Sequence, residues 1–189
     1  MKKKLLLAAM MVIYLTVVVT GTIAYFTSED TAHNVITSGG VKIKIIEKTK
    51  DEDGNLVDFP EEGMKIMPGS AVSKIVSVKN TGNSEAWIRV KVKSEFQTAT
   101  GTSSETEMAD AEINYHLSGD WSLGNDGYYY YENPLPAGEV TSVLFDKVTF
   151  SSEMGNKYQN STMKIVVYAE AVQAANNGST VLEAQGWPA

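Results

Sequence analysis

Along most of this chain apolar residues recur at every second position, the spacing that lays alternate side chains on one face of a β-strand. Val41, Ile43 and Ile45 alternate with Lys42 and Lys44, and residues 51–55 follow as a polar Asp-Gly turn of the hairpin kind. Residues 64–67 read as a short return strand closed by Pro68-Gly69. Residues 72–79 form the next strand, and 80–83 break it with a second glycine-containing turn. Ile88, Val90 and Val92 then alternate with Arg89, Lys91 and Lys93, and Trp87 is placed as the cap of a sheet edge. Residues 97–107 lack apolar periodicity and read as a loop, with 108–111 as a helical turn. Short strands are expected over 113–117, 121–123 and 128–131, and long ones over 140–150 and 163–172. The last is apolar on both faces, which fits a central strand covered on both sides. Only 180–185 reads as helical near the end. Many short strands with Gly, Pro and Asn punctuation predict an all-β fold, a jelly-roll-like antiparallel β-sandwich over residues 41–189.

The first residues follow a different pattern. Lys2, Lys3 and Lys4 precede an apolar run from 5 to 19 in which only Tyr14 and Thr16 carry a polar oxygen, ended by Thr20, Gly21 and Thr22. This is the layout of a signal-peptide helix, residues 1–24, with small side chains at Thr22 and Ala24 placing the cut between Ala24 and Tyr25. The alternative is a single-pass anchor, for which the run is short. Residues 25–40 then form a leader ahead of the sandwich, and the processed chain is expected outside the cell.

Charge narrows the partners. The formal net charge is −7 over 189 residues, and removal of the three leading lysines makes it −10. A strongly acidic balance argues against nucleic acid and against an electrostatic grip on anionic lipid. Cysteine is absent, which excludes disulfides, thiolate metal sites and cysteine catalysis.

Several short motifs occur in a recognisable order. They are Gly21-Thr22-Ile23-Ala24-Tyr25-Phe26, Thr37-Ser38-Gly39-Gly40, Met67-Pro68-Gly69-Ser70, Asn80-Thr81-Gly82-Asn83-Ser84, Asn156-Lys157-Tyr158-Gln159 and Ala169-Glu170-Ala171-Val172-Gln173. In this order the chain resembles the TasA/camelysin family of exported Gram-positive biofilm-matrix proteins, which are processed by a SipW-type signal peptidase. It is also similar to clostridial exported proteins with this type of signal, in which residues 128–141 have counterparts. The resemblance implies a secreted jelly-roll subunit that forms fibres by donor-strand exchange, with itself and related matrix proteins as partners and membrane contact only before cleavage. Tyr25, Phe26, Val35 and Ile36 are the apolar residues of the leader that could anchor such a strand. The physics agrees: an open sheet edge gains a ladder of main-chain hydrogen bonds from an added strand, and a head-to-tail contact propagates as a filament. The alternative is a leader folded back on its own domain.

Camelysin is classed with metallopeptidases, but this chain has only His33 and His116, far apart and outside any His-Glu-x-x-His arrangement. No Gly-x-Ser-x-Gly elbow is present either. A non-enzymatic protein without a cofactor is therefore expected. Asp51, Asp53 and Asn55 have the alternating oxygen spacing of a calcium loop, but an acidic hairpin turn is the simpler reading. Tyr128, Tyr129, Tyr130 and Tyr131, with Trp121, are the candidate surface aromatics, able to stack on sugars or fill a subunit interface, against the alternative of plain packing. A secreted adhesin or carbohydrate-binding module is thus the second function class.

Overall fold

Glycine and carboxylate chemistry start the first hairpin. The Asp51 carboxylate accepts hydrogen bonds from the backbone N–H groups of Asp53 (3.0 Å) and Asn55 (2.8 Å), and Gly54 adopts φ +84°. The chain therefore reverses at once. A computed structural model describes residues 26–34, 40–60, 65–66, 68–97, 103–104, 111–117, 119–153 and 162–188. Its strands are β1 (Phe26–Asn34), β2 (Ile43–Lys50), β3 (Leu56–Asp58), β4 (Lys65–Ile66), β5 (Ala71–Asn80), β6 (Ala86–Gln97), β7 (Ser103–Ser104), β8 (Ala111–Tyr115), β9 (Trp121–Leu123), β10 (Tyr129–Tyr131), β11 (Phe145–Phe150) and β12 (Thr162–Gln173). There is no α-helix among the described residues.

The strands form two sheets packed as a β-sandwich. One runs β3-β2-β5-β11-β8, the other β4-β1-β12-β6-β10-β9 with the short β7 beside β6. All pairings are antiparallel except β1 with β12. The alternating residues named above converge between the sheets: Ile43, Ile45, Val72, Val76, Ile88 and Val90 pack with Phe145, Ile165 and Val167. β12 also buries Glu170 and Val172 on its outer side, where residues 174–187 fold back over it. At one end of the interior Lys74 is buried, with Nζ 4.0 Å from the Phe59 ring centre and 3.4 Å from Glu47 Oε1.

The motif at 80–84 has a physical role. The Asn80 side chain, fully buried, donates to Ser84 O (2.8 Å) and Leu135 O (2.9 Å) and accepts from Gly82 N–H (3.0 Å). The turn is fastened from within.

Several expectations need correction. The hairpin returns as β3, directly after the tight turn, while Lys65–Ile66 crosses to pair with β1 in the other sheet. Trp87 caps no edge: β6 lies inside its sheet, and the indole is buried beneath the C-terminal segment with Nε1–H donating to Asn177 O (2.9 Å). The expected strand 140–150 begins only at Phe145, because the Thr141 hydroxyl accepts from Val78 N–H (3.0 Å) and displaces regular pairing. Residues 180–185 form turns rather than a helix. The Asn177 side chain ties this loop to Gln173 O and Gln185 O at 3.0 Å each, and a six-residue helix has little stability of its own. The signal-peptide helix, the Ala24–Tyr25 cut site, Val35, Ile36, Met64, Met67 and residues 108–110 lie outside the described residues.

Candidate functional site

The leader contributes β1, the strand directly after the expected cut. It lies parallel to β12 from Thr27 opposite Thr162 to Asn34 opposite Ala169. Its other side meets only β4, at Phe26 and Thr27, so Ser28 to Asn34 form an open sheet edge among the described residues. The sequence Phe-Thr-Ser-Glu-Asp-Thr-Ala-His-Asn explains why this strand stands at the border: polar and charged residues are the usual protection of an exposed edge. Phe26 and Ala32 are its only apolar residues, and the strand is defined by its main-chain ladder with β12.

The leader is held at its far end. Gly40 has φ +82°, its carbonyl accepts from Asn83 N–H (3.1 Å), and a Cβ there would lie 2.4 Å from Asn83 Oδ1. Only glycine fits. Gly40 is thereby fastened to the turn that carries Asn83.

The aromatic candidates separate by strand alternation, and Trp121 and Tyr130 follow the packing reading rather than the surface one. Trp121 is 2% exposed, with Nε1–H donating to Ser142 O (3.1 Å) and its ring 5.1 Å from Tyr131. Tyr129 stacks on Tyr115 at 4.4 Å, toward the same interior. Tyr128 and Tyr130 point to the outer side, but Tyr130 is buried at 7% and both pack with Trp187 or its neighbours. The aromatic residues are thus structural at Trp121 and Tyr130, and half-covered at Tyr128, Tyr129 and Tyr131.

Around Tyr128 lies a charge cluster that sequence reading missed. The Arg89 guanidinium is sandwiched between the rings of Tyr128 (4.0 Å) and Trp187 (4.6 Å). Both Arg89 Nε and Nη2 lie 2.7 Å from Glu170 Oε2. The Tyr128 hydroxyl donates to Glu170 Oε1 (3.1 Å), and the Tyr130 hydroxyl donates to Asp126 Oδ2 (2.7 Å). Burial, then the bond to Glu170, pushes the Tyr128 phenol above its ordinary value, and burial with the Asp126 bond does the same for Tyr130. Burial raises Asp126, but the bonds from Tyr130 and from Tyr128 N–H outweigh it and the carboxyl titrates low. One signal was present in the sequence: Glu170 interrupts the apolar run from Ile165 to Val172, and such a carboxylate needs a partner.

The other candidates stay apart. His116 Nε2 is 3.3 Å from Asp146 Oδ1 on the surface, and His33 lies on β1 opposite Tyr168. The Asp51 carboxylate is already engaged by its own turn, with the Asn55 backbone bond the largest cause of its lowered pKa. No group of three or more His, Cys, Asp or Glu is placed to hold a metal ion among the described residues. Comparison with protein-family models, with curated proteins and with solved structures gave no match.

Proposed function

We propose that the processed chain is a secreted structural subunit of extracellular fibres, in which β1 of one copy replaces β1 on β12 of the next. The observation behind this reading is the place of β1: in the single chain the segment directly after the expected cleavage site folds back on its own domain, the alternative to donation, and takes the position on β12 that a neighbour's strand would fill. In a single chain that ladder closes on itself. The same contacts form between copies when the arm swings out, so exchange conserves the ladder and is driven by concentration and by release of the leader from the membrane helix. Consecutive strands alternate between the sheets at β5–β6, β8–β9, β10–β11 and β11–β12, a winding that supports the jelly-roll reading. The resemblance to the TasA/camelysin proteins and the SipW-type cut between Ala24 and Tyr25 belong to the same proposal.

Electron microscopy of concentrated protein tests it. Chains starting at Tyr25 should form filaments, and chains lacking residues 25–36 should not. Persistently monomeric Tyr25-starting protein would overturn the reading. The carbohydrate-binding alternative loses its main support, because Trp121 and Tyr130 are buried.

A further inference from the structure

Net charge conceals how charge is distributed. Lys42, just before β2, and Lys44, Lys48 and Lys50 on it face away from the buried Val41, Ile43, Ile45 and Thr49, with Ile46 at the remaining outward position. Successive outward residues on a strand lie about 7 Å apart. Lys79 on β5 stands opposite Lys44, and Lys147 on β11 opposite Ser73. Six lysines therefore share the outer face of the five-stranded sheet, and no arginine is among them.

Few carboxylates answer them. Asp58 pairs with Lys48 at 2.6 Å, Asp146 is occupied by Asn114 (2.9 Å) and His116 (3.3 Å), and Glu112 stands on the edge strand opposite Thr149. Among the described residues Lys48 is the only one of the six in an ion pair. Two shallow hollows open on this side. One of about 290 Å³ is rimmed by Lys50, Lys147 and Asp146 over Ser73 and Ile75. The other, about 540 Å³, lies between Lys44, Lys48 and Lys79, with Glu47, Asp58 and Phe59 also in its lining.

We propose that this face docks a linear polyol-phosphate polymer. Charge complementarity selects a polyanion, and lysines spread over three strands of one face, in a row broken at Ile46, neutralise several charges of an extended chain. Lysine binds phosphate as a point charge without the bidentate fork that arginine offers to carboxylate and phosphate alike, which suits a flexible phosphate diester chain. A single-stranded nucleic acid would need ring faces on which its bases could stack. Phe59 alone brings a ring to either hollow, and Lys74 Nζ already lies 4.0 Å over it. The chain's overall acidity does not prevent binding, since charges beyond about 10 Å are largely screened at moderate salt. This surface is independent of strand exchange.

The test measures binding of labelled poly(glycerol phosphate) to residues 25–189, which include every described residue, across a salt series. Binding should weaken steadily with salt. A variant with Lys44, Lys50, Lys79 and Lys147 changed to Gln should melt normally, lose about tenfold or more in affinity, and show a log–log salt slope smaller by about 3. Lys91→Gln with Lys93→Gln, on the other sheet, should bind as the parent does. The proposal fails if the parent does not bind at low salt, if the fourfold variant binds equally well, or if the Lys91/Lys93 variant loses as much. It also fails if oligodeoxythymidylate or polygalacturonate binds as tightly as the polyol phosphate.

Discussion

On the seven-stranded side of the sandwich, residues 174–187 fold back over Trp87, Tyr130 and Val172, and every charge beneath them has a partner. Among the described residues the five-stranded side has no such cover, and of its outward Lys42, Lys44, Lys48, Lys50, Lys79 and Lys147 only Lys48 is in an ion pair. The first arrangement stabilises the fold, because apolar area and a desolvated ion pair are removed from water together. The second contributes little to stability, since exposed charges are well solvated whether the chain is folded or not. The two faces therefore separate what holds the domain together from what it can offer to partners.

Substitutions should expose this contrast. Trp87→Ala removes the centre of the covered face and should lower stability by about 4 kcal/mol in denaturant titration. Arg89→Ala leaves Glu170, whose side chain is 11% exposed, without its cation and should cost about 3 kcal/mol. If Arg89→Ala were neutral, the covered face would not be the fastening described here.

pH offers a gentler probe of the same face. The Tyr128 and Tyr130 phenols titrate above their ordinary value in the fold, chiefly through burial, so the unfolded chain loses those protons first. Stability should then be intact below about pH 10 and fall as pH rises beyond it. The fall should be shallower in a Tyr128→Phe, Tyr130→Phe variant. Asp126 works in the opposite sense: its lowered pKa adds stability above about pH 4 that is lost as pH falls further. The smallest effect belongs to the open face, where the fourfold lysine-to-glutamine variant should stay within about 0.5 kcal/mol of the parent.

How far the sequence is legible depends on what each segment buries. β5, β6 and β12 announce themselves because Val72, Val76, Val78, Ile88, Val90, Ile165 and Val167 face one core at period two. The alternation within residues 128–131 likewise foretells two rings on each side, but not that the chain's own C-terminus lies over the outer pair. β3 escaped notice because all its residues are exposed and leave no apolar pattern. β1 is similar, a strand held by backbone bonds that composition does not encode. The Arg89–Glu170 pair joins positions 81 residues apart, and only the register of β6 against β12 brings them together. Charge misled in another way, since a net value of −7 gives no hint of a lysine-rich face.

Strand exchange itself is tested most directly by cysteine cross-linking, for which this chain, with no cysteine of its own, provides a clean background. Thr31 and Val166 are register partners on β1 and β12. Chains starting at Tyr25 and carrying both Thr31→Cys and Val166→Cys would be oxidised at high concentration and run on denaturing, non-reducing gels. The account predicts a ladder of covalently joined multimers that collapses on reduction. A single band of monomer with an internal disulfide would contradict it.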